Sequence, residues 1–155
     1  MRDRFFSCRP LQNRGANLIG FRFARAYLSG AKGKEKIGSL LETLGEDYLV
    51  IYDIESPYGN IDHIVINKQS GVFLLETKAH GGRVSVKNGH LLVNGHDPEK
   101  DFIAQVLNNT YWLKEKTCNT INVEVWIIAV LVFTNAFVER RLQSKELRLS
   151  TKSTS

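Results

Sequence analysis

Cysteine is scarce: the 155-residue chain has two, Cys8 and Cys118, without metal-type spacing. That excludes a disulfide-stapled scaffold and a cysteine zinc site, and makes a reducing compartment the default. Long apolar runs are missing too. The strongest, Val125 to Phe133, is nine residues, where a membrane helix needs about 20. It reads as a strand buried on both faces. The start has no apolar stretch of signal-peptide length. An arginine-rich, acid-poor start is also compatible with an organelle transit peptide, but Ser7 and Ser29 are the only serine or threonine residues in the first thirty. The expectation is a cytoplasmic protein with no membrane span. No internal repeat is visible.

With 43% hydrophobic and 24% charged residues, the chain fits one globular domain with a real core. Its charge is uneven. Residues 1–36 carry a formal +7, residues 37–136 carry −5 and residues 137–155 carry +3. The basic character belongs to the ends, so a uniformly basic nucleic-acid-binding face is not expected of the middle.

Residues 1–32 show no clean period and read as a flexible or loosely helical basic arm. Lys34 to Leu44 places Ile37, Leu40, Leu41 and Leu44 at helical spacing, with Gly45 as a stop. Tyr48–Ile54, Ile61–Asn67 and Val72–Lys78 read as three strands, the last two joined by a hairpin turn, Lys68 to Gly71. Gly81-Gly82 is expected to break the third. Arg83–Lys87 and Leu91–Val93 form a small hairpin around Asn88-Gly89. Asp97-Pro98-Glu99 resembles a helix start, the helix running to about Lys116. A buried strand follows over Val123–Phe133, and residues 138–155 form a polar tail expected to be disordered. The globular domain is expected to span 33–137. This is a mixed α/β order with one strand added after a crossover helix.

The chemistry concentrates in Asp62 and Glu76-Thr77-Lys78. Residues two apart on a strand share a face, so Glu76 and Lys78 point the same way. If the hairpin turns about Gln69, Asp62 lies opposite Glu76. Two carboxylates that close repel unless a proton or cation lies between them, and a hard ion such as Mg²⁺ takes oxygen ligands of this kind. A lysine beside them can orient a water or hold a phosphate oxygen. A cross-strand ion pair accounts for the same residues equally well. His63 faces the other side and reads as a packed histidine. His80, His90 and His96 form no helix-face pair for zinc. Tyr111 and Trp112 could stack a base, and are more commonly core or rim residues.

The run Gly59-Asn60-Ile61-Asp62-His63-Ile64-Val65-Ile66, followed by Ser70-Gly71-Val72-Phe73-Leu74-Leu75-Glu76-Thr77-Lys78 and Gly82, resembles the nuclease-related domain, NERD. That family is a branch of the PD-(D/E)XK restriction-endonuclease-like superfamily. The resemblance covers about residues 30–137. It implies a restriction-endonuclease-like αβββαβ core with a mixed central sheet flanked by helices. It also implies Mg²⁺, with Mn²⁺ as a substitute, on Asp62, Glu76 and the Thr77 carbonyl, with Lys78 as catalytic lysine and Gln105 contributing from the crossover helix. The partner would be nucleic acid, in the first place DNA. Relatives usually open with G-x-x-G-E. Here Gly30-Ala31-Lys32-Gly33 is followed by Lys34, and Glu35 comes one residue late. Glu35 joins the catalytic set only if the first helical turn is irregular. The competing function is a catalytically inactive domain of the same fold that binds nucleic acid or protein.

Overall fold

Alternating apolar residues bounded by turn chemistry make the sheet. In the computed structural model, residues 19–25 and 33–139 are described, the former as backbone only. Eight elements follow in order: β1 (Ile19–Arg25), α1 (Gly33–Leu41), β2 (Tyr48–Ile54), β3 (Ile61–Asn67), β4 (Gly71–Lys87), β5 (His90–Val93), α2 (Phe102–Ile121) and β6 (Ile127–Val138). The sheet order is β1-β6-β4-β3-β2, with β5 paired to the far half of β4. β2, β3 and β4 are antiparallel neighbours. The crossover through α2 returns β6 parallel to β4, and β1 is parallel to β6. The restriction-endonuclease-like order αβββαβ is therefore present, in a mixed sheet, with β1 and β5 added.

Each helix covers one face. Phe102, Ile103 and Val106 of α2 share a core with Ile64, Leu74, Ala129, Leu131 and Phe133. Ile37 of α1, with Val65 and Val132 of the sheet, is buried outside that cluster. The approach of α1 depends on two glycines. A β-carbon at Gly33 would lie 2.9 Å from the Thr134 Cβ and closer still to its hydroxyl; one at Gly38 would lie 3.5 Å from His63 Nε2.

Several expectations are corrected. Residues 19–25, placed in a basic arm, form strand β1; the rest of the arm lies outside the described residues. α1 stops at Leu41, leaving Leu44 beyond it, and Leu40 is 51% exposed, because Gly38 rather than a leucine seats the helix. Gly81-Gly82 bends β4 without ending it. The register shifts between Lys78 and Gly81, and the Arg83 N–H donates to Asn94 Oδ1 at 2.8 Å. The N-cap of α2 is Asp101, which accepts from the Ala104 N–H at 2.9 Å, not Asp97. Glu99, Lys100 and Asp101 offer nothing to bury, so the helix begins where Phe102 and Ile103 do. It ends at Asn122, whose φ of 54° is left-handed. β6 begins at Ile127 and extends to Val138, and Glu139 pairs with Arg83 at 2.9 Å. Residues 140–155 lie outside the described part. Cys118 is disulfide-bonded, which the cysteine number did not suggest.

Gly33→Ala is expected to cost about 1–3 kcal/mol through overpacking against Thr134. Urea unfolding measures it, and an unchanged midpoint contradicts the close approach.

Candidate metal and phosphate site

The β3–β4 register pairs His63 with Leu75 and Asn67 with Gly71. One further step puts Asp62 opposite Glu76, as the turn about Gln69 predicts. The ladder stops there. Asp62 Oδ2 instead accepts the Thr77 N–H at 2.8 Å, so its carboxylate replaces a backbone partner. The β2–β3 register continues the row: Tyr52 pairs with His63 and Ile54 with Ile61, which puts Asp53 opposite Asp62. Asp53 has a φ of 50°, a left-handed conformation that Asp tolerates better than most residues. Three acids thus stand in line across three adjacent strands.

Two lysines join them. Lys78 Nζ donates to Glu76 Oε1 at 2.8 Å and to Gln105 Oε1 at 3.0 Å, and lies 4.8 Å from the Phe102 ring centroid. Lys34, in the first turn of α1, pairs with Asp53 and lies 3.0 Å from Asp62 Oδ1. Gln105 sits one turn into α2 and is seated by the β2–β3 loop. A β-carbon at Gly59, whose φ is 107°, would come within 3.3 Å of Gln105 Nε2. Ser56 ties that loop to Asn109 on the next turn of α2.

Glu76 is the costly member. It is 4% exposed, and its Oε2 is a buried oxygen without a hydrogen-bond partner among the described residues. Burial pushes its carboxyl above the usual carboxylate range, against the opposing pull of Lys78. The Lys34 ammonium is held above the ordinary lysine range by Asp53 first, then Asp62, and Asp53 is lowered by Lys34 in return. His63 is buried against Tyr52, ring centroids 5.5 Å apart, and burial lowers its pKa. It is a packed histidine on the α1 face, as its position after Asp62 implies.

The structure brings Asp62, Glu76, Thr77, Lys78 and Gln105 together. It does not bring in Glu35, which is exposed on α1; Lys34 reaches Asp62 instead, because the helix is regular through its first turn. Among the described residues, no three His, Cys, Asp or Glu side chains converge as a ready metal cage. Sequence reasoning missed Asp53. The register about the loop Ser56–Asn60 was the signal that pairs it with Asp62.

A raised Glu76 pKa means that the folded state holds this proton more tightly than the unfolded chain. Stability from this group therefore falls as pH rises from the normal Glu value through the folded one. Without divalent ions, wild type should gain stability relative to Glu76→Gln as pH is lowered from 8 towards 5, by at most about 1.4 kcal/mol per pH unit. Denaturant midpoints at several pH values check this, and a difference that stays flat or shrinks contradicts it.

No helix of the described residues is long and apolar enough to cross a membrane. No curated protein matches this sequence and no solved structure matches this chain. The family model described as the nuclease-related domain does match, over residues 29–134, a span that runs from just before α1 into β6 and includes the whole acid row with both lysines. The chain therefore belongs to the NERD, or nuclease-related domain, family.

Proposed function

We propose that this chain is a Mg²⁺-dependent nuclease that hydrolyses DNA phosphodiester bonds. The observation that carries the reading is Glu76 Oε2, a carboxyl oxygen kept buried and, among the described residues, unpartnered at the end of the apolar run Val72–Leu75. An ordinary ion pair with Lys78 leaves that oxygen unexplained. A cation explains it, because an uncompensated buried carboxylate is costly. The donor set suits the ion: Asp62, Glu76 and the Thr77 carbonyl are hard oxygens. When bound there, Mg²⁺ would polarise the phosphate and lower the pKa of a coordinated water.

The protein's own groups do the remainder. Asp62 is fixed from two sides, by the Thr77 N–H and by Lys34. Lys78 is held by Glu76 and Gln105 beside the carboxylates, where its ammonium orients the attacking water and stabilises charge developing on the phosphate. Gln105 keeps that ammonium from settling onto Glu76 alone. The excess of lysine and arginine toward the ends of the sequence suits phosphate contacts, which carry no sequence information.

A second reading has its own support. Lys34 takes the place of an acid and engages Asp62, as it would in a domain that binds nucleic acid or protein without cutting. Supercoiled plasmid with Mg²⁺ or Mn²⁺ separates the two. Wild type should nick it, and Glu76→Ala and Lys78→Ala should each lose at least about 100-fold in rate. Equal nicking by all three contradicts the nuclease reading. DNA binding that survives Glu76→Ala, with no cleavage by wild type in either metal, supports the binding module.

A further inference from the structure

The acid row holds more than the two carboxylates of the proposed metal site. Asp53 on β2 faces Asp62 on β3, which in turn faces Glu76 on β4. Side by side and uncompensated, Asp53 and Asp62 would repel. A cation already lies between them: the Lys34 ammonium bonds Asp53 and stands 3.0 Å from Asp62 Oδ1. The helix delivers this ammonium from its first turn, and the close packing of Gly33 on Thr134 fixes where that turn sits. Next along the row, the Glu76 side chain is 5% exposed, with Oε2 unpartnered. The row therefore has one interval filled by an amine and one oxygen still without a partner.

We propose that Lys34 is a resident cation, holding between Asp53 and Asp62 the place a second divalent ion would take and so limiting the site to one bound metal. The inference rests on the metal-site reading above. Formal charge supports it. Asp53, Asp62 and Glu76 with Lys34 and Lys78 sum to −1. One divalent ion brings the cluster to +1, and a second would bring it to +3. Without Lys34 the cluster stands at −2, and two divalent ions bring it only to +2. Lys34 also holds Asp62 Oδ1 while the Thr77 N–H holds Oδ2, so it orients a metal-binding carboxylate without touching substrate. It is a positioning residue that also sets the metal count.

Mn²⁺ binding followed by electron paramagnetic resonance and by calorimetry tests this without any activity measurement. Wild type should bind one Mn²⁺ per chain. Lys34→Met should bind two, and Asp53→Asn added to Lys34→Met should return the count to one. Lys34→Arg, which keeps the charge, should stay at one. Lys34 is 43% exposed, and Lys34→Gln serves as a second neutral variant expected to give two. One ion in wild type and one in both neutral variants overturns the inference and leaves the metal-site reading standing. Two ions in wild type also overturn it. No binding by wild type or any variant overturns both.

Discussion

The Glu76 carboxylate constrains everything around it. It sits on the central strand of a mixed sheet, under a helix whose apolar face needs exactly the opposite environment. Removing a charge from water is among the most expensive things a fold can do. Here a single lysine meets one oxygen, and among the described residues the other has no partner. The carboxyl responds with a pKa above its normal range. A buried, half-compensated acid is a poor choice for stability alone. It is intelligible in a site that receives a cation.

The fold serves that acid through its topology. Three antiparallel strands bring Asp53, Asp62 and Glu76 into one row. The crossover helix lays Gln105 against Lys78 from one face, while the first helix sends Lys34 to Asp62 from the other. Asp62 can be reached from that side because its carboxylate lies between β3 and β4, in the place of a lost ladder hydrogen bond. The site thus forms where the hairpin opens, with Lys34 between Asp53 and Asp62 and Lys78 beside Glu76. Neighbouring charges of opposite sign make the row tolerable.

The strands of the hairpin, their register and the Asp62–Glu76 pairing were legible in the sequence because period-two alternation and a short turn determine them together. Lys78 beside Glu76 followed from the same alternation. The departures have local causes. Asp97-Pro98 carried a helix-start signal, but the helix waited for Asp101, since only the residues after it have a face to bury. β1 escaped notice because its alternation, Ile19, Phe21 and Phe23 about Arg22, is short and set among arginines, and its pairing partner lies about a hundred residues away in β6. Asp53 escaped notice because it looked like one acid in an apolar strand; only the register set by the loop that follows, Ser56–Asn60, gives it a partner. The displacement of Glu35 by Lys34 was visible as a shift of one residue, yet its consequence, an ammonium bridging two acids, depends on three-dimensional reach.

The central claim is that the Glu76 carboxylate is kept charged in the working protein by a divalent cation. Carbon-13 NMR of the Glu76 side-chain carboxyl, titrated with and without Mg²⁺, measures this at the atom concerned. The account predicts a midpoint above the ordinary carboxylate range in the absence of Mg²⁺ and a marked downward displacement when it is added. A midpoint in the ordinary range, or one that Mg²⁺ leaves in place, contradicts it.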